Sequence, residues 1–148
     1  AGFDEVPAIF RKPVAYVGVV PLVLLYSHNK DSLIIPRKHI SKKTKKELSI
    51  SEIFSNNVAF GQFQEEFDKQ NVILDENSPE EIRDLSIEMD ERLNGSWLET
   101  DEDLELQIKF WRIFEENITK QNLKTFFHGK INSKFCSKYL KQNKNLIS

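Results

Sequence analysis

The sequence has a single cysteine, Cys136, which excludes an internal disulfide and any Cys-rich zinc site. Glycine and proline are sparse, five of each in 148 residues, so collagen-like and low-complexity architectures are excluded. No apolar run reaches the roughly 18 residues that a membrane-crossing helix requires. The longest, residues 14–26, is interrupted by Gly18 and Pro21. Neither sign of charge dominates: 21 Lys and Arg against 23 Asp and Glu give a net charge of −2, which excludes a global attraction to nucleic acid. No basic start leads into a long apolar core, so no signal peptide is expected; with one thiol, a reduced, cytoplasmic setting fits. What is present is apolar and aromatic material. Eleven Phe and 39% hydrophobic residues in 17.3 kDa predict one folded domain with its own core rather than a disordered chain.

The charges are segregated along the chain. Residues 30–46 carry Lys30, Arg37, Lys38, Lys42, Lys43, Lys45 and Lys46 against Asp31 alone. Residues 75–105 hold 13 acids against Arg83 and Arg92, and the tail turns basic again. Such blocks either attract each other within the fold or stay as solvated faces, and the weakness of surface pairs favours the second reading.

Apolar spacing and punctuation give the elements. Phe3, Val6, Ile9 and Phe10 predict a helix over residues 4–10, stopped by Pro13. Residues 14–20 are apolar at both parities and β-branched, which predicts a strand covered on both faces, as in a parallel sheet between helices. A second strand is expected over 32–35, a basic loop over 36–46, a helix capped by Ser49 and Glu52, a helix bearing Phe60, Phe63 and Phe67, and a compact strand at 72–74. The next helix is the best specified: Ser78 at the cap, Pro79 at its first position, Glu81 two further on, and Gly95 to end it. Its stripe is Ile82, Leu85, Met89 and Leu93. Thr100 and Asp103 open another helix with the stripe Leu104, Ile108, Trp111, Phe114 or Glu115, and Ile118, and a last helix is expected over 131–141, burying Ile131, Phe135 and Tyr139.

Several stretches, in order, resemble one bacterial family of GT-B glycosyltransferases, enzymes with two Rossmann-like domains facing a cleft. They are Ile9-Phe10-Arg11-Lys12-Pro13-Val14, Leu33-Ile34-Ile35-Pro36-Arg37-Lys38, and Ser78-Pro79-Glu80-Glu81-Ile82; the longer stretches, residues 2–14 and 71–82, are similar to the donor-site segment and a late strand-to-helix step of GT-B enzymes in general, the first also to nucleotide-sugar 2-epimerases. The most distinctive is Glu88-Met89-Asp90-Glu91-Arg92-Leu93-Asn94-Gly95-Ser96-Trp97, followed by Leu106-Gln107 and Phe110-Trp111. The resemblance covers nearly the whole chain but only the C-terminal part of the family. It implies an α/β fold, the C-terminal part of a Rossmann-like donor domain with short parallel strands and a majority of helix. An N-terminal domain would lie upstream, and the helices of about 101–148 would pack back on it.

The implied function is the donor-binding portion of an enzyme that moves a sugar from a nucleotide-sugar to a glycan or lipid-linked acceptor, in bacterial surface glycan synthesis. The location implied is cytoplasmic, with a peripheral position at the inner membrane compatible. Gly2 before the first helix offers close backbone approach and free amides to a diphosphate; the bland alternative is a plain turn glycine. Asp4 or Glu5 would accept from ribose hydroxyls, and the match does not fix which. Arg37 and Lys38 are the expected anion contacts, in a loop that suits a phosphate, an acidic acceptor glycan or anionic lipid. His39 departs from the family pattern and carries no role; its basic neighbours disfavour its protonated form. No metal, cofactor or nucleic-acid partner is expected, and no catalytic base is visible, so the chain alone should bind donor weakly and turn nothing over. Two other readings stay open: a non-enzymatic helical interaction module, and part of a nucleotide-sugar epimerase-like enzyme.

Overall fold

The computed structural model describes residues 3, 5–25, 29–122 and 131–148. About 49% of the described residues are helical, around a small parallel sheet, so the α/β class holds. The elements are α1 (Glu5–Ile9), β1 (Ala15–Val19), β2 (Leu33–Pro36), β3 (Lys38–Ser41), α2 (Ile50–Ser55), α3 (Gln64–Lys69), β4 (Val72–Asp75), α4 (Pro79–Asn94), α5 (Asp101–Lys120), β5 (Lys134–Phe135) and α6 (Ser137–Gln142). Short 3-10 turns follow β1 and α6.

β1, β2 and β5 form the three-stranded sheet in that order, both pairings parallel. β2 is central and buried at all four positions, which explains its unbroken Leu-Ile-Ile run. β1 is at the edge, and Ala15 and Val17 are exposed. Its apolar residues at both parities therefore do not mark two covered faces, which corrects the expectation. The opposite edge, at β5, is closed by a side chain. The Gln107 amide donates to the Phe135 carbonyl, and the Phe135 amide donates back to Gln107 Oε1 at 3.2 Å. One carboxamide thus takes the hydrogen bonds that a further strand would make.

The strand at 72–75 is not in the parallel sheet. It pairs antiparallel with β3, from Lys38 opposite Asp75 to Ser41 opposite Val72. The segment expected as one basic loop therefore contains a strand that continues almost directly from β2. The last expected helix is also resolved differently: 134–135 are strand, and the helix begins only at Ser137.

The local signals at the helix ends are realised. Ser49 with Glu52, Ser78 with Glu81, and Thr100 with Asp103 each form a reciprocal capping box. Gly95 ends α4 in the left-handed region, at φ 79°. The helix faces are rotated from expectation. α4 buries Glu81, Asp84, Leu85 and Glu88, while Ile82 and Leu93 are exposed. α5 buries Asp103, Gln107, Phe110, Phe114, Asn117 and Ile118, while Leu104 and Ile108 are exposed. α1 buries nothing, and its expected inner face, Phe3, Val6, Ile9 and Phe10, is solvent-exposed.

The rotation of α4 has a cause in the buried acids. Glu88 is 0% exposed. Its Oε2 accepts from the Ser137 amide at 2.8 Å, the Lys138 amide at 3.3 Å and Cys136 Sγ at 3.2 Å, and its Oε1 accepts from Arg92 Nε at 2.9 Å. α6 has no side-chain cap of its own, so Glu88 supplies the carboxylate that its free amides and dipole favour. Arg92 extends the clamp to Glu99 and Ser137 and lies 4.6 Å over the Trp97 ring.

The charge blocks meet within the fold. The basic segment gives Arg37–Glu76 and Lys38–Glu81, and the tail gives Lys141–Asp103 and Lys144–Glu102, both 2.8 Å. The core lies between the sheet, α2 and α5, where Phe110 stacks on Phe135 at 3.7 Å and Phe54 meets Phe114 edge-on at 5.8 Å. No helix of the described residues is long and apolar enough to cross a membrane.

Candidate functional site

In open parallel sheets ligands sit beyond the carboxyl ends of the strands. Here those ends are Gly18–Val19 of β1 and Pro36 of β2. Gly18 adopts φ +64°, a conformation that L side chains rarely take. A Cβ added there would meet only Asn77 Oδ1, at 3.6 Å, so the backbone conformation and not the space calls for glycine. The β1–β2 register shifts between Tyr16 and Val19, and the Arg37 amide closes the ladder on the Val19 carbonyl at 3.2 Å. A cavity of about 220 Å³ opens beside this end, bordered by Gly18, Val20, Pro21, Leu24 and Ile34.

The start of α4 is fastened to the same end. Asn77 Nδ2 donates to the Pro36 carbonyl at 3.0 Å and to Glu81 Oε2 at 3.3 Å. Glu81 Oε2 also accepts from the Ser78 amide at 2.9 Å, while its Oε1 pairs with Lys38 Nζ at 2.7 Å. Asn77 Oδ1 is buried without a hydrogen-bond partner. Arg37 and Lys38, the expected anion contacts, therefore stand at the strand ends, but each is already paired with a carboxylate at the approach to α4. An incoming anion would have to displace Glu76 or Glu81.

Of the three residues expected at the donor, Gly2 and Asp4 lie outside the described residues. Glu5 is exposed in the first turn of α1. It borders a second, larger cavity of about 340 Å³ together with Arg11, Lys12, Asp31 and Ser32. Val14 and Ser32, which directly precede β1 and β2, line it, so this cavity opens at the amino ends of the strands, away from the cavity beside Gly18; Tyr16 borders both. The structure thus brings Arg37 and Lys38 together and sets Glu5 apart from them.

Three ionisable groups behind this end depart from their usual ranges. His39 is 1% exposed and presents Nδ1 to the Arg37 carbonyl at 2.9 Å. Since a carbonyl only accepts, Nδ1 carries the proton and Nε2 is left a bare, buried lone pair. Burial, and secondly the Arg37 charge, lower its pKa to about 4. The reluctance to protonate was expected, but the main cause is burial. Burial also raises Glu47, with the Glu81 charge adding to the shift, and it pushes the Tyr139 hydroxyl up. Tyr139 was expected only as a buried residue of the last helix, and Asn77 and Glu47 were not singled out from the sequence. Asn77 had a signal: it is polar at the position before a helix cap where an apolar staple residue is common.

Trp97 carries the Arg92 guanidinium, and Trp111 packs edge-on against Phe110 and Phe135. Among the described residues no three His, Cys, Asp or Glu side chains converge as a metal site. The chain matches no family model, no curated protein and no solved structure.

Proposed function

We propose that the chain is the donor-binding portion of a glycosyltransferase, which holds a nucleotide-sugar for transfer to a glycan or lipid-linked acceptor. The observation that carries the reading is the parallel β1–β2 ladder, whose carboxyl end has Gly18 in a left-handed conformation beside a cavity. The sequence resemblance points to the residues before and within the first turn of α1, namely Gly2, Asp4 and Glu5; Glu5 borders the cavity at the amino ends of β1 and β2, not the one beside Gly18. The diphosphate would meet backbone amides near Gly2, and a carboxylate in that turn would take the ribose hydroxyls. Chemistry requires a base and a closing lobe, which in such enzymes come from an upstream domain.

The test is calorimetric titration of UDP-, GDP- and CMP-sugars into this chain and into the full gene product that carries it. Saturable binding to one nucleotide class, tighter in the full product, is expected. Glu5→Gln should weaken it by about tenfold or more if Glu5 takes the ribose, since hydrogen bonds to charged groups contribute about 1.5–3 kcal/mol. Failure of the full gene product to bind any of the three classes would reject the proposal.

A further inference from the structure

The basic segment is unevenly compensated. Arg37, Lys38 and Lys42 each have a carboxylate partner: Glu76, Glu81 and Asp68. Lys43, Lys45 and Lys46 are exposed, and none of them is paired with an acid. They sit in a turn that is held in shape. The Lys45 amide donates to the Ser41 carbonyl at 2.8 Å, the Ser41 amide to the Lys46 carbonyl at 2.9 Å, and the Lys42 amide to the Asn71 carbonyl at 2.8 Å. The Ser41 and Thr44 hydroxyls accept from the amides of Thr44 and Lys46. Lys45 adopts φ +60° within it.

A hydrogen-bonded turn that carries three uncompensated lysines within four residues concentrates positive charge locally, and an external anion would compensate it. The molecule as a whole has a net charge of −2, so it has no overall attraction to an anionic surface, and attraction has to come from a local cluster such as this one. Ammonium groups are point charges with no fork geometry, so they suit a plane of phosphates better than a single shaped ligand. We infer that residues 42–46 form a docking tip for an anionic lipid surface. The chain reaches the tip through β3, directly after the carboxyl end of β2, so docking places that end of the sheet next to the bilayer. The inference does not depend on the donor-binding reading, because a tip that binds lipid would do so whatever the cavities hold.

The experiment is co-sedimentation with phosphatidylcholine vesicles, with and without about one third phosphatidylglycerol, over a salt series. Binding to the anionic vesicles only, weakening steeply with salt, is expected. A juxtamembrane Lys contributes about 1 kcal/mol, or roughly fivefold, so Lys43→Gln with Lys45→Asn and Lys46→Gln should lower the partition coefficient on the order of 100-fold. Asn is chosen at 45 because it tolerates positive φ. The control is Lys109→Gln with Lys120→Gln on α5, which removes two exposed charges elsewhere and should cost less than about fivefold. The salt slope of the unsubstituted protein provides a readout independent of how the variants fold. The inference is overturned if anionic vesicles are not bound at low salt, if the control loses as much as the tip variant, or if single-stranded RNA displaces the vesicles at equal phosphate.

Discussion

Replacing Glu88 with Ala should unfold a large part of the molecule's stability margin. The carboxylate is 0% exposed and receives two backbone amides of α6, the Cys136 thiol and the Arg92 guanidinium. Alanine leaves both amides buried without an acceptor and Arg92, whose side chain is 11% exposed, without its i,i+4 partner. Each unsatisfied buried donor costs about 1–3 kcal/mol, and breaking a buried ion pair from one side costs about 3–5 kcal/mol. These overlap, so the expected loss is about 4 kcal/mol, against a total of about 5–15 kcal/mol for a domain of this size. Glu88→Gln keeps one acceptor oxygen but cannot serve both α6 and Arg92, so it should lose about half as much. Urea titration followed by tryptophan emission is a suitable assay, because Trp97 lies under Arg92 and Trp111 against Phe135. A Glu88→Ala loss below about 1 kcal/mol would refute the assignment of Glu88 as the cap of α6.

Two further outcomes follow from buried titrating groups. His39 has its pKa lowered to about 4, so below pH 6.5 the unfolded chain binds the proton that the folded chain refuses. Its contribution is complete above that pH, falls by about 1.4 kcal/mol per unit as the pH drops, and is lost by about pH 4, about 3 kcal/mol in all. Glu47, whose pKa is raised, acts in the opposite sense over part of that window. The measurement is therefore the difference between the protein and His39→Gln in urea midpoints at several pH values; parallel curves would refute it. Cys136 is buried, and desolvation together with the Glu88 charge pushes its thiol well up. Maleimide should label it at neutral pH only through unfolding, so labelling should accelerate as urea approaches the midpoint. Labelling of the native protein at the rate of a free thiol would contradict this.

The features legible in the sequence were those decided locally. A capping box is written in four residues, and all three expected boxes formed. Gly95 needed only its own φ. The apolar run of the central strand β2 was equally plain. What could not be read was which face each helix turns inward, because partners distant in sequence decide it. On α4 the acids Glu81 and Glu88 face inward to meet Lys38, the α6 amides and Arg92, and the Ile82–Leu93 side is left to solvent. On α5 the inward position goes to Gln107 because Phe135 needs hydrogen-bond partners. β5, only two residues long, has no periodicity to detect, and β3 was hidden among lysines. At the candidate site, glycine and the two cations were visible as residue types. Their compensation by Glu76 and Glu81, and the orphan oxygen of Asn77, depend on tertiary geometry. The segment most diagnostic of the family resemblance, residues 88–97, turns out to hold helices together: Glu88 caps, Arg92 bridges, Gly95 terminates and Trp97 is stacked upon.

The two margins of the parallel sheet impose a direction on its growth. At the β5 margin a lone carboxamide acts as a stopper, so nothing can be added there without evicting Gln107. At the β1 margin Ala15 and Val17 face outward, with no lysine, proline or bulky charge to repel a newcomer strand. Among the described residues, accretion, whether by a neighbouring segment or by an unwanted copy in a concentrated solution, is thereby barred at the β5 flank.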